Sequence, residues 1–166
     1  MPLKTSQLAV MLASLFAAAI TLSFTEFSPL LAQLDQQTFT TQMSGNEEVP
    51  PVETVGTGIT EFNLSSDGSS IGYQLNVTEM SGITAAHIHS GNVGENGPVI
   101  VTLFSSDTPT GQTNGVLSEG TISSSDLEGP MEGRDISDLV SAMSNGVTYV
   151  NVHTEANPDG EIRGQI

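Results

Sequence analysis

Between Ile71 and Thr78 the chain alternates strictly: Ile71, Tyr73, Leu75 and Val77 are bulky, while Gly72, Gln74, Asn76 and Thr78 are small or polar. Side chains of an extended strand point to opposite faces in turn, so this run predicts a strand with only one face in a core. A helix would scatter the same four bulky residues around its circumference. Similar short segments fill much of the chain. Thr38–Met43, Thr54–Leu64, Ile83–His89, Val99–Phe104, Gly115–Ile122, Val147–His153 and Glu161–Ile166 read as further strands separated by turn signals. Gly56 and Gly58 predict a bulge or a close backbone approach in the second of these. Ser66-Asp67-Gly68 and Asn157-Pro158-Asp159-Gly160 are turns, because proline presets φ and glycine takes the positive value.

Only Ile136, Leu139, Val140 and Met143 fall at helical spacing, with Asp135 placed to cap the start and Asn145-Gly146 to stop the end. Ser123–Arg134 reads as loop with a single turn near Asp126. The expected fold is therefore an all-β antiparallel sandwich closed at one end by one short helix.

Charge and cysteine usage narrow the functional classes. Against 19 Asp+Glu stand 3 Lys+Arg, giving a formal charge of −16, and there is no cysteine. A surface that poor in bases cannot track phosphates, so nucleic acid is excluded as a partner. The missing thiols exclude a disulfide scaffold, a thiolate metal site and a cysteine nucleophile.

Lys4 precedes 17 uncharged residues, Leu8 to Phe24, and Ala32 follows as a small residue. A basic start, an apolar stretch and a small residue make a secretory signal. Residues 1–32 are expected to be removed by cleavage after Ala32, leaving 33–37 as a linker and 38–166 as the domain. The competing reading is an uncleaved membrane anchor, since the apolar run is at the short end for a span. Cleavage leaves no membrane span, and it keeps the charge at −16, because Lys4 and Glu26 cancel. The protein is accordingly expected to be secreted or periplasmic.

All 3 histidines lie in two short motifs, Ala85-Ala86-His87-Ile88-His89 and Tyr149-Val150-Asn151-Val152-His153-Thr154. Strand alternation puts His87 and His89 on one face and Ile88 on the other; likewise His153 and Asn151 lie opposite Val150 and Val152. With the isoleucine and valines in the core, all three imidazoles share the other face. Pairing of the last two strands would add Glu161 and Arg163 to it. Two readings fit. His87, His89 and His153 could hold a single copper or zinc ion, as imidazole nitrogens suit both, with Glu161 as fourth ligand or support. Alternatively they form a structural hydrogen-bonded network with Asn151, Thr154, Glu161 and Arg163, the reading favoured here. Glu47-Glu48 reads as a solvated loop, and Arg163 as paired with Glu161 or Glu155.

Longer motifs give the chain a family likeness. Met43-Ser44-Gly45-Asn46-Glu47-Glu48-Val49-Pro50-Pro51, the His-x-His segment, Gly97-Pro98-Val99-Ile100-Val101-Thr102-Leu103, and the closing run from Gly146 through Thr154 and from Asn157 to Gln165 resemble the CHRD domain. The likeness runs from about Thr38 to Ile166. It implies an immunoglobulin-like sandwich similar to that of copper/zinc superoxide dismutases, and it implies no defined activity. A dismutase is not expected: three imidazoles are too few for a copper/zinc pair, and the negative charge would repel superoxide. The sequence thus predicts an exported module that binds an extracellular or envelope partner or has a structural role, without a catalytic site. A mononuclear metal protein is the alternative.

Overall fold

A computed structural model describes residues 37–166; the expected signal and most of the linker lie outside the described residues. Eight strands form in chain order: β1 (Thr38–Ser44), β2 (Thr57–Leu64), β3 (Ile71–Met80), β4 (Ile83–Ser90), β5 (Val99–Ser105), β6 (Thr113–Ile122), β7 (Thr148–Thr154) and β8 (Ile162–Gln165). One α-helix, α1 (Ile136–Ser144), lies between β6 and β7. All strand pairs are antiparallel, in the order β5-β4-β7-β8-β1-β2-β3-β6. The all-β fold with one short helix is what the alternation predicts.

The sheet folds on itself into a near-barrel. The junction between β8 and β1 is narrow, a single Ser44–Arg163 pair. At the other end side chains close the gap between the outer strands: the Ser118 hydroxyl of β6 and the Tyr73 hydroxyl of neighbouring β3 donate to the Leu103 carbonyl of β5 at 2.7 and 2.8 Å. Those bonds occupy a backbone acceptor that an open edge would leave free. The interior is one apolar cluster drawn from both halves of the sheet, with Phe62, Leu75, Ile83, Ile88, Val150, Val152 and Ile162 fully buried.

Local details follow the sequence with small shifts. β2 begins three residues later than Thr54, because Gly56 turns back to bond the Thr54 hydroxyl at 3.0 Å. β3 runs on to Met80 through a bulge at Glu79, whose φ is 57°. The amide of Glu79 donates to Asn114 Oδ1 at 2.8 Å, which holds this uncommon conformation for a non-glycine residue. Helix α1 buries Ile136, Leu139 and Met143, and Gly146 ends it at φ 67°. Val140 is only partly covered. Among the described residues no helix is long and apolar enough to cross a membrane.

Leu75 has no exposed surface, so Leu75→Ala is expected to cost about 2–5 kcal/mol of unfolding free energy in urea. Gln74→Ala, on the outer face of the same strand, is expected to stay within about 0.5 kcal/mol.

Candidate functional site: three imidazoles under a loop clamp

β4 and β7 lie side by side, with His87 opposite Asn151, Ile88 opposite Val150 and Ala85 opposite His153. The predicted facing holds: Ile88, Val150 and Val152 are in the core, and the three histidines gather on the other side. Two irregularities in the β4–β5 pairing, between Ala86 and His87 and between Ile88 and His89, flank both β4 histidines. Bulges of this kind re-aim side chains. The ring centroids lie 5.0 Å apart for His87–His153, 5.7 Å for His87–His89 and 5.9 Å for His89–His153. One ligand-capable atom from each ring lies within 4.8 Å of the other two.

The tautomers follow from what the rings touch. His89 Nδ1 lies 2.9 Å from the Gly97 carbonyl, and His153 Nδ1 lies 2.9 Å from the Pro158 carbonyl. A carbonyl only accepts, so both Nδ1 atoms carry hydrogen and both Nε2 atoms keep a lone pair. His153 Nε2 receives its bond from His87 Nδ1 at 3.1 Å. His89 Nε2 is buried without a partner. Burial, then the charges that His153 and His89 would carry, hold His87 down to about 4. Burial also lowers His89 and His153, against the opposing pull of their carbonyl bonds. All three rings are thus neutral near pH 7.

The face they occupy is not an open surface. Glu48, Asn151 and Arg163 are all buried there, Arg163 at 1% exposure, while Thr154 shares the parity of Val150 and Val152 and is buried on the opposite side of β7. Residues 91–98 fold over it, and Arg163 is what holds them. Its Nη2 donates to the carbonyls of Asn92 and Glu95 at 3.1 and 2.9 Å, and its Nη1 donates to Asn96 Oδ1 at 3.1 Å. The guanidinium carbon sits 3.4 Å from the centre of the Tyr149 ring, a cation–π contact. Tyr149 in turn stacks on His89, with centroids 4.9 Å apart and planes 10° from parallel. Its hydroxyl accepts the Gly97 amide at 3.1 Å. A Cβ at Gly97 would collide with the Ser90 carbonyl oxygen, so only glycine fits at this crossing.

These contacts correct the expected network. β7 and β8 do pair, with Asn151 opposite Arg163, but the supporting residues do not bond the imidazoles. Arg163 pairs with neither Glu161 nor Glu155; it satisfies its fork on loop oxygens. Glu161 accepts from the Thr54 and Thr154 hydroxyls at 2.7 Å each and from Asn157 Nδ2 at 3.2 Å, tying the segment before β2 to the closing turn. Its bonds lie away from the histidines, so it does not serve as a fourth ligand.

Glu48 is not solvated either. It is 6% exposed, and Asn151 Nδ2 donates to both of its oxygens at 2.8 and 3.0 Å. Burial pushes its carboxyl up to about 7, while the Arg163 charge and the Val49 amide pull the other way. A Cβ at Gly160, where φ is 135°, would strike Asn151 Nδ2 and the Glu48 carboxylate, so the turn glycine keeps room for that pair. Nothing in the local spacing of Glu47-Glu48 signals this burial, because its partner is 103 residues away.

The run Gly68-Ser69-Ser70-Ile71-Gly72 has the spacing of a serine-nucleophile elbow. It forms the β2–β3 turn instead, with Asp67 accepting from the Ser65 hydroxyl and from the Ser69 amide and hydroxyl. A strand follows where an elbow needs a helix.

Arg163→Lys keeps the charge but loses the planar fork and the flat face over Tyr149. It is expected to cost about 2–4 kcal/mol in urea unfolding, whereas Arg134→Lys, on an exposed 4.0 Å pair with Asp138, stays within about 0.5 kcal/mol. Acid has two opposed effects. A histidine held below its ordinary value takes up its proton in the unfolded chain first, so folding weakens as pH falls from about 6.5 toward 4. The raised Glu48 carboxyl binds its proton more tightly when folded, so it favours folding as pH falls from about 7 toward 4.5. Three imidazoles outweigh one carboxyl. Melting temperature is expected to drop across that window, and more steeply in Glu48→Gln, which removes the opposing group.

Comparison with curated proteins and with solved structures returned no match. A family comparison did: residues 39–166 match the CHRD domain. That span holds all the strands but the first residue of β1, together with the three histidines and the Arg163 clamp. The chain belongs to the CHRD domain family.

Proposed function

We propose that this chain is an exported, non-catalytic CHRD-domain module that works outside the cytoplasm, secreted or periplasmic, as a binding or structural unit. The observation that carries the non-catalytic reading is where the polar side chains of the closing segment are engaged. Arg163 is bonded to residues 92, 95 and 96, Glu161 to Thr54, Thr154 and Asn157, and Asn151 to Glu48. Each of these groups stitches loops to the sheet, and none is left free to move a proton to a substrate. Such stitching suits a domain that presents a fixed loop surface to a partner.

Export is supported by the sequence of residues 1–32, with Lys4 before an uncharged run. The formal charge of −16 favours a cationic extracellular or envelope partner, through attraction that salt screens.

Two measurements check this reading. Terminal sequencing of the protein recovered from the periplasm or medium of its own cell is expected to begin at Gln33; recovery in the cytosol with Met1–Ala32 attached would contradict export. Immobilised mature domain is expected to capture an envelope component at low salt and release it at about 0.5 M salt, where the screening length falls to roughly 4 Å. Failure to retain anything from solubilised envelopes would count against the binding role.

A further inference from the structure

We propose that His87, His89 and His153 bind a single copper ion, through Nδ1 of His87 and Nε2 of His89 and His153. The site lies beneath the loops of the preceding proposal, but metal content reads it without reference to any captured partner.

The arrangement has what a small metal site requires. Two of the three rings are held from behind: the Nδ1–H groups of His89 and His153 donate to the Gly97 and Pro158 carbonyls, which fixes the tautomer and aims both Nε2 lone pairs inward. His89 Nε2 is the telling atom. It belongs to a residue that is 9% exposed, and it has no hydrogen-bond partner. A buried acceptor left unpaired costs free energy, and a cation among the rings would satisfy it.

Metal–imidazole bonds of about 2.0–2.1 Å put ligand nitrogens roughly 3.3–4.1 Å apart. The His87 Nδ1 to His153 Nε2 separation is 3.1 Å, and one ring nitrogen from each of the three histidines lies within 4.8 Å of the other two. Small ring rotations close the difference. The hydrogen now shared between His87 and His153 occupies the place where the ion would sit. On binding, the His87 proton moves to its Nε2, so the ring stays neutral.

The donor set selects the metal. Three neutral nitrogens without a carboxylate offer nothing to calcium or magnesium, which require oxygen ligands. Among divalent ions the nitrogen-site affinity order peaks at copper, above zinc.

The full chain, purified without an affinity tag and stripped with EDTA, is to be dialysed against copper(II) alone and zinc(II) alone in excess magnesium. One copper per chain is expected, with zinc bound at least tenfold more weakly and nitrogen hyperfine structure in the copper(II) spectrum. His89→Gln is expected to lose at least tenfold in copper affinity, and Arg134→Gln to match the parent. Less than stoichiometric copper, tighter binding of zinc, or full affinity in a folded His89→Gln overturns the proposal. Should that variant not fold, the parent spectrum decides: oxygen-only coordination places copper on surface carboxylates and overturns it equally.

Discussion

The arrangement of the loops depends on one buried cation. Removing a guanidinium from water costs several kcal/mol unless its donors are met, and Arg163 meets them without a carboxylate in contact. Three loop oxygens take its N–H groups, and Tyr149 takes its face. Those oxygens belong to residues 92, 95 and 96, so the guanidinium can be buried only if that loop lies across β7 and β8. The loop then brings the Gly97 carbonyl to His89 and the Gly97 amide to Tyr149. Asn96 continues the chain of contacts by donating to the Val49 carbonyl at 2.7 Å, which joins a second loop to the first. Charge burial, loop placement and imidazole orientation are therefore a single coupled event.

The electrostatics of this region differ in kind from those of the surface. Outside, carboxylates outnumber bases and keep the domain strongly anionic. Inside, the one carboxyl near the guanidinium is pushed toward its neutral form, and three imidazoles are held neutral by burial and by each other. A cluster of neutral nitrogens next to a fixed positive charge holds few protons, and that same condition leaves lone pairs available. The closing turn contributes in a complementary way. Pro158 orients His153, while Glu161 anchors the turn to β7 and to Thr54.

Much of the fold could be read from local pattern. Alternation located the eight strands to within a few residues, helical spacing found α1, and the parity of Ile88, Val150 and Val152 placed all three histidines on one face. What alternation could not reveal was that this face is covered. Arg163 and its loop partners are 67 to 71 residues apart, and Asn151 and Glu48 are 103 apart. No periodicity encodes such contacts. The nearest signal was composition: one of only 3 basic residues sits in a strand between Ile162 and Gly164, which is an unusual place for a solvated charge. The bulges beside His87 and His89 were also illegible, because they arise from β5 pairing rather than from the β4 sequence.

The Gly97 and Pro158 carbonyls hold His89 and His153 in fixed tautomers, and burial keeps all three imidazoles neutral. Nitrogen-15 spectra of the histidine side chains, followed from pH 8 to 5, test it most directly. The structure requires His89 and His153 to be Nδ1–H tautomers and all three rings to protonate below the ordinary imidazole value, His87 only at about 4. Nε2–H signals for His89 and His153, with midpoints near 6.5 in a folded chain, would contradict it.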